Sequence, residues 1–149
     1  MLHALAPVVR CAGQPGSLRS LTGAVGGSFA SGRRLRVVPR LEAGQWAAIV
    51  GAHAMIDLSD GLGRDSDRVA KASGVVIELD ATKVPINPDC PDWKQAAREG
   101  EDHELLIALG PNQPIEDAPT KLLGPIGRVH ACEHNEPARA LITDVHGNA

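Results

Sequence analysis

The chain has very few aromatic residues. Phe29, Trp46 and Trp93 account for an aromatic content of 2%, and tyrosine is absent. Proteins that bind single-stranded nucleic acid usually stack the bases on aromatic rings, so this scarcity argues against that function. The hydrophobic content of 43% over 149 residues is nevertheless ordinary and sufficient for one globular domain. We therefore expect a core built from Ala, Val, Leu and Ile.

Cysteine and long apolar runs are also scarce. The three cysteines, Cys11, Cys90 and Cys132, are odd in number and have no C-x-x-C spacing. This pattern argues against a disulfide framework or a zinc site, and it predicts three free thiols in a reducing compartment, the cytoplasm. No apolar run reaches the roughly 18 residues that a membrane helix needs, so we expect no membrane association.

Acidic residues are absent from residues 1–41, which contain six arginines: 10, 19, 33, 34, 36 and 40. The remainder has nine Lys/Arg against eighteen Asp/Glu. An acidic body disfavours a nucleic-acid or anionic-membrane partner and suits a site for divalent cations. The stretch 13–32 contains six glycines and five Ser/Thr and is typical of a loop. We therefore expect a flexible basic arm at 1–21 and a folded domain at 22–149.

Hydrophobic periodicity predicts the secondary structure of that domain. Helical spacing predicts helices at 39–50, 61–73 and 92–98. Short apolar runs predict strands at 34–39, 52–58, 75–79, 103–109, 121–130 and 139–145. The helix at 39–50 would bury Leu41, Trp46, Ile49 and Val50, and Gly74 would cap the helix at 61–73. Separated strands with two or three helices favour an α+β or α/β fold in which antiparallel pairing can occur.

The first candidate site is the stretch MIDLSDG, residues 55–61, where an apolar run ends in two aspartates. One interpretation is helix capping, in which Ser59 or Asp60 accepts hydrogen bonds from free N–H groups of the following helix. Capping does not explain Asp57, which ends an apolar strand where burial would penalise an unpaired charge. The other interpretation is a Mg-nucleotide or Mg-phosphate site, because Mg²⁺ prefers oxygen ligands and a helix N-terminus attracts phosphate.

The second candidate site is the stretch REGEDHELL, residues 98–106, which places four acidic residues around a glycine and before an apolar strand: Glu99, Glu101, Asp102 and Glu104. A solvated turn is one interpretation. The other is a ligand site, since Gly100 permits close approach of the backbone to a ligand. Two acidic turns next to buried strands predict one shared site. The stretch GAVGGS, residues 23–28, has only a weak likeness to a phosphate loop, because it lacks the lysine of that motif.

These motifs resemble a known family. HAMIDLSDGL (53–62), ASGV (72–75) and GEDHELLIAL (100–109) are together similar to the C-terminal domain of thiamine-monophosphate kinase, of the aminoimidazole ribonucleotide synthetase superfamily. The resemblance extends over about residues 22–130. It implies an α+β domain with α/β/α layers and a mixed sheet. It also implies transfer of the γ-phosphoryl group of ATP to thiamine monophosphate, which gives thiamine diphosphate.

The resemblance also implies residue roles. Asp57 and Asp60 would bind Mg²⁺, with Asp60 as the catalytic residue near the transferred group. Ser59 would contact ATP, and Glu101 would face the thiamine phosphate. Metals and positioning carry most of the catalysis in phosphoryl transfer, which suits a site of carboxylates. The implied ligands are thus Mg²⁺, ATP and thiamine monophosphate, and a homodimer is a further expectation.

Three departures from the family pattern affect these expectations. The N-terminal domain, which supplies further metal-binding aspartates and most of the nucleotide pocket, has no counterpart in this chain. Glu99 replaces the first glycine of a family glycine pair, and the sequence DVHGNA at 144–149 lacks the aromatic residue that would stack on thiamine. We therefore expect the chain to need an N-terminal domain and to be inactive alone. A non-catalytic module, or another ATP-dependent enzyme of the superfamily, remains the alternative.

Overall fold

The structure, a computed structural model, describes residues 14–144. Six strands and three α-helices make up this part of the chain. They follow the order β1 (Leu18–Leu21), α1 (Leu41–Ile49), β2 (Ala54–Asp57), α2 (Leu62–Ser73), β3 (Val75–Asp80), α3 (Trp93–Arg98), β4 (Leu105–Leu109), β5 (Leu123–Ala131) and β6 (Arg139–Thr143). Short 3₁₀ turns lie at Arg33–Leu35 and Ala81–Lys83.

All six strands form one mixed sheet in the order β2-β4-β1-β5-β3-β6. Only β3 and β6 pair in parallel, and the other four pairings are antiparallel. The edge strand β2 pairs with β4 from Ala54 opposite Ala108 to Asp57 opposite Leu105. This register places the carboxyl end of β2 beside the start of β4, so the two acidic motifs of the sequence meet at one corner of the sheet.

The sheet separates two apolar cores, which gives the α/β/α layers that the sequence implied. Along β4, Leu106 and Ala108 belong to the larger core, whereas Leu105, Ile107 and Leu109 belong to the smaller one. The larger core includes residues of α2 and α3, and the smaller core includes residues of α1. This alternation follows from the two-residue period of a strand with both faces buried.

The boundary of the basic arm is corrected by β1. Residues 18–21 lie inside the sheet between β4 and β5, although the sequence placed them in the arm and in a loop. The strand was missed because it is only four residues long, and the adjacent polar residues Arg19 and Ser20 between its two leucines break the alternation typical of a strand. Residues 1–13 of the predicted arm lie outside the described residues.

Arg19 is a buried cation in the middle of the sheet. Its side chain is fully buried, and its three guanidinium nitrogens have no hydrogen-bond partner among residues 14–144. Burial lowers the pKa of Arg19 to about 10, because the low-dielectric interior disfavours the charged form. An unpaired buried charge costs stability.

Helix α1 has the predicted position but only part of the predicted buried face. Trp46 and Val50 pack half-buried against the smaller core as predicted, and Leu41 and Ile49 are exposed. The fully buried residues are Ala43, Gly44 and Ala47. Small residues let this helix approach the sheet closely: a Cβ on Gly44 would lie 3.7 Å from side-chain atoms of Leu105 and Met55. The strand predicted at 34–39 is absent, and these residues form the end of the 3₁₀ turn and an exposed segment.

The helix predicted at 61–73 is confirmed as α2. Gly74 ends it in the left-handed conformation with φ of 65°, as its sequence position predicted. Cys90 and Cys132 are free thiols, and Cys11 lies outside the described residues. Within residues 14–144, no helix is both long and apolar enough to cross a membrane.

Candidate functional site

Two acidic turns pack against each other beyond the paired ends of β2 and β4. We call residues 57–60 the 57–60 turn and residues 99–104 the 99–104 turn. Backbone hydrogen bonds extend the β2–β4 ladder into them: Leu58 N–H donates to Glu104 O (2.8 Å), His103 N–H to Leu58 O (2.9 Å), and Glu101 N–H to Ser59 O (2.8 Å). These three bonds hold the two acidic motifs side by side, as the predicted shared site requires.

Glycines make this close packing possible. A Cβ on Gly100 would lie 2.5 Å from the carbonyl oxygen of Ser59, which is closer than real Cβ contacts allow. Gly61 has a φ of +103°, and a Cβ there would lie 3.0 Å from the carbonyl oxygens of Arg98 and Glu99. A side chain at either position would separate the two turns, so the S-D-G and E-G-E-D motifs fit together through their glycines.

The backbone of the 99–104 turn is strained on both sides of Asp102. Glu101 and His103 have φ values of 60° and 55°, in the left-handed region that non-glycine residues rarely adopt. Such residues cost on the order of 1–2 kcal/mol each relative to ordinary backbone. The result is that neighbouring side chains point apart: the Asp102 carboxylate is fully buried, whereas that of Glu101 is 46% exposed.

Three carboxylates of the 99–104 turn hold the glycine-rich segment that precedes α1. Both oxygens of Asp102 accept from Gly26 N–H, at 3.0 and 2.9 Å, and one also accepts from the Arg33 guanidinium at 3.2 Å. Burial nevertheless raises the pKa of Asp102 to about 6, against the opposing effect of the Gly26 N–H and the Arg33 charge. The Gly26 amide is thus occupied by a carboxylate, which removes it from the phosphate-loop interpretation of residues 23–28.

Glu104 and Glu99 have the same structural role. Glu104 accepts two hydrogen bonds from Arg40, at 2.9 and 2.7 Å, and one from the Thr22 hydroxyl at 2.6 Å. Glu99 accepts from Phe29 N–H at 2.9 Å. Burial opposes ionisation of Glu99, but this bond and those from nearby side chains outweigh it and lower the pKa. Within the turn, Glu101 alone has no hydrogen bond to its carboxylate among the described residues, although Arg34 lies 4.0 Å away.

The 57–60 turn is organised differently. The Asp57 side chain is exposed at the end of the edge strand β2, so the predicted desolvation of this carboxylate is wrong. No other residue within 14–144 forms a hydrogen bond or ion pair with it. Ser59 and Asp60 are half-buried, and Ser59 offers its backbone carbonyl to Glu101.

Asp60 does not cap helix α2. The N-cap is Gly61, with no side-chain hydrogen bond, so the capping interpretation of Ser59 or Asp60 is wrong. Instead Asp65, one turn into the helix, accepts from the Asp60 N–H at 2.8 Å. Arg68 bridges the carboxylates of Asp60 and Asp65. Burial raises the pKa of Asp65, whereas the bonds from Asp60 N–H and Arg68 lower it, and burial is the larger effect.

Among residues 14–144, no three His, Cys, Asp or Glu side chains are grouped as metal ligands. Asp57 and Asp60 offer oxygen donors of the type that Mg²⁺ prefers. They can supply only part of a coordination shell, and the remaining oxygens would come from water, a nucleotide or another polypeptide. An open depression of about 750 Å³ lies between α3 and Phe29. Glu99 of the second candidate site lines it, whereas Asp57, Ser59, Asp60 and Glu101 do not.

The sequence interpretation missed Arg33, Arg40 and Gly26 as partners of the acidic turn. The available signal was the charge asymmetry, with arginines before residue 41 and acids after it. The sequence interpretation assigned it to a basic arm at residues 1–21 and an acidic body suited to cations, whereas Arg33 and Arg40, which follow that arm, each pair with a buried carboxylate. Spacing in the sequence could not show this, because the partners are 69 and 64 residues apart.

Comparison with known proteins gives relatives in sequence and in fold. No protein-family model matches the chain. The chain is 34% identical over 133 aligned residues to the thiamine-monophosphate kinase of Rhodopirellula baltica, and the alignment covers 83% of this chain and 42% of that protein. It is 35% identical over 136 aligned residues to the thiamine-monophosphate kinase of Mycobacterium tuberculosis, and that alignment covers 74% of this chain and 41% of that protein. The chain thus spans about two fifths of the length of these curated relatives.

Solved structures share the fold. The crystal structure of thiamine monophosphate kinase from Aquifex aeolicus superposes with a TM-score of 0.75 at 23% identity, over 91% of this chain and 52% of that chain. AaThiL complexed with AMPPCP and TMP superposes with a TM-score of 0.73 at 24% identity, over 91% of this chain and 50% of that chain. Hydrogenase maturation protein HypE in complex with ATP superposes with a TM-score of 0.68 at 14% identity, over 95% of this chain and 51% of that chain. By sequence and fold, then, this chain is a homologue of one portion of the thiamine-monophosphate kinases, as its two acidic motifs implied.

Proposed function

We propose that this chain is the C-terminal-type domain of a thiamine-monophosphate kinase and contributes part of an ATP- and Mg²⁺-dependent site. The observation that carries the proposal is the hydrogen bond from Glu101 N–H to Ser59 O (2.8 Å), which joins the two motifs that resemble the family. Homology to curated kinases over most of the chain and the fold shared with AaThiL support it.

In the proposed reaction, a phosphate oxygen of thiamine monophosphate attacks the γ-phosphorus of ATP. The bond from that phosphorus to the β,γ-bridging oxygen breaks, and the products are thiamine diphosphate and ADP. Bound Mg²⁺ would supply positive charge that neutralises the phosphoryl oxygens. The residues proposed to hold it are Asp57, whose carboxylate is exposed, and Asp60, which is near the start of α2.

Each remaining residue has one role in the proposal. Ser59 contacts ATP through a side chain that is half-buried beside the uncapped N-terminus of α2, where free N–H groups favour phosphate. Glu101, held outward by its left-handed backbone, faces the thiamine phosphate. Its carboxylate would attract the cationic thiazolium ring and would repel the phosphate. Arg68, which pairs with Asp60, must yield that carboxylate when metal binds.

The complete activity requires a second domain in this proposal, because only two candidate ligands are available in the 57–60 turn. We further propose a cytoplasmic location, ATP and thiamine monophosphate as substrates, no nucleic-acid or membrane partner, and assembly as a homodimer in the complete enzyme. The ATP analogue and TMP in the AaThiL structure support the two substrates.

A non-catalytic module is the second candidate, and one observation favours it. Asp60 is already neutralised by Arg68, and Asp65 is bridged by the same guanidinium, as expected of a structural network. Such a module would keep the fold without turnover.

The test measures thiamine diphosphate formation from thiamine monophosphate and Mg-ATP. We expect no turnover by the chain alone, turnover when an N-terminal domain and a C-terminal tail of a related kinase are restored, and a loss of at least about 100-fold for Asp60→Asn in that protein. A reconstituted protein that folds but is inactive would support the module. Turnover unaffected by Asp60→Asn would contradict the site assignment.

A further inference from the structure

The exposed stretch between the 3₁₀ turn and α1 combines unusual features. We call residues 34–39 (RLRVVP) the docking segment, and all six are exposed. Its apolar side chains are unusually accessible for their type, with Leu35 76%, Val38 66% and Val37 45% exposed. Leu41, at the start of α1, continues this apolar surface with 53% exposure. Clustered exposure of this kind marks an interaction surface more often than scattered apolar residues do.

Part of the backbone of the docking segment is unpaired as well. Arg34 N–H donates to Ser28 O, and Leu35 and Arg36 donate to Gly32 O and Arg33 O in the 3₁₀ turn. In contrast, the N–H and C=O groups of Val37 and Val38 form no hydrogen bond with any residue in 14–144. The sequence nevertheless has strand propensity, which is why it was predicted to be a strand. A strand-forming sequence with free backbone groups and exposed valines suits pairing with the edge of another sheet.

We propose that the docking segment pairs, as an added strand, with an exposed strand edge of the domain that thiamine-monophosphate kinases carry beyond the portion this chain covers. The identity of that partner rests on the proposed function. The curated relatives have more than half of their length outside the matched region, since the match covers 42% and 41% of them. Docking there would place the second domain next to Arg33 and Arg34, which contact the 99–104 turn.

The positive charge of the docking segment favours an acidic partner surface. Arg33 is paired with Asp102, and Arg34 lies near Glu101, but Arg36 has no ion pair within the described part of the chain. An acidic residue on the partner edge would therefore complete the surface. A second copy of this chain is a poorer occupant, because a two-fold pairing of identical segments brings arginines of the same charge together.

The experiment uses the full chain and, as probe, the part of the Rhodopirellula baltica kinase outside the matched region, made as a separate polypeptide whose folding is checked by circular dichroism. Light scattering after size exclusion measures the complex, and amide hydrogen exchange measures Val37 and Val38. We expect a monomeric chain with fast exchange at both amides, a one-to-one complex with the probe, and exchange at least tenfold slower in the complex. A fusion of the chain and the probe in a single polypeptide allows the same exchange measurement even if the separate polypeptides bind weakly.

The matched variants are Leu35→Asp with Val38→Asp, expected to weaken binding at least tenfold, and Ile115→Asp, expected to leave it unchanged. Ile115 is an exposed apolar residue outside the segment, with 51% exposure. The inference is overturned by equal binding of all variants, by no complex, or by fast exchange within the complex. Slow amide exchange at Val37 and Val38 in the chain alone also overturns the inference, because these amides would then be paired with a second copy or with the chain's own residues. A complex with these properties but no kinase activity would overturn the proposed function and leave the docking inference intact.

Discussion

The two acidic turns of this molecule lie side by side but use their carboxylates differently. In the 99–104 turn, Glu99, Asp102 and Glu104 bind backbone amides and arginines of the segment before α1. In the 57–60 turn, Asp57 has no partner among the described residues, and Asp60 has one exposed arginine. The comparison shows that an acidic motif beside a strand can either stabilise the fold or remain available to bind a ligand. The burial of its carboxylates and their hydrogen-bond partners distinguish these two roles.

The largest expected effect is on stability, and it separates the turns directly. Asp102→Ala leaves the Gly26 N–H without its carboxylate and Arg33 without its ion pair, in a region that solvent hardly reaches. We expect a loss of about 3 kcal/mol of unfolding free energy. Urea denaturation measures it. Asp57→Ala is the matched control and should change the free energy by less than about 0.5 kcal/mol. Equal losses of unfolding free energy in the two variants would mean that the two turns contribute equally to stability, which would contradict the distinction between them.

Removal of an unpaired buried charge should instead increase the unfolding free energy. Arg19 is buried like Asp102, but its guanidinium forms no hydrogen bond with the described part of the chain. We expect Arg19→Met, which keeps similar bulk without the charge, to raise the unfolding free energy by about 1–2 kcal/mol, since no partner is left behind. The same denaturation experiment gives the value. A destabilised variant would mean that the guanidinium has a partner in solution.

The pH dependence of stability should also come from the buried turn. The pKa of Asp102 is raised to about 6 in the folded protein from its ordinary 3.8, so the folded state binds a proton that the unfolded state lacks between these values. Stability from this group therefore falls as pH rises from about 4 to 6 and is constant above that range. The stability difference between the natural chain and Asp102→Asn, measured at several pH values, should follow this curve. A difference independent of pH from 4 to 8 would contradict it.

The smallest expected effect is on metal binding at the exposed turn. Mg²⁺ at about ten times its dissociation constant should add about 1.4 kcal/mol of stability, seen as a higher melting temperature, because only the folded chain offers Asp57 and Asp60 together. Asp57→Asn should abolish this increment. Arg68→Ala removes the competing cation from Asp60 and should increase Mg²⁺ affinity about threefold. A response unchanged in both variants would make the 57–60 turn structural too.

The sequence by itself determined the α+β class, the three helices, five of the six strands and the two acidic motifs. These features depend on local periodicity and on turn residues such as Gly74, which act over a few neighbours. It also indicated the similarity to thiamine-monophosphate kinases that the comparison with known proteins shows, because the motifs around Asp57 and Glu101 are contiguous in the chain.

Only the tertiary structure decided which carboxylates are occupied. Asp102 meets Arg33 across 69 residues, and Glu104 meets Arg40 across 64. The structure also decided that Asp57 is exposed, since β2 is an edge strand, and that the sequence LRSL is a central strand despite its buried arginine. Each of these outcomes depends on strand order and on long-range pairing, and a linear pattern of apolar and charged residues does not encode which distant segments meet.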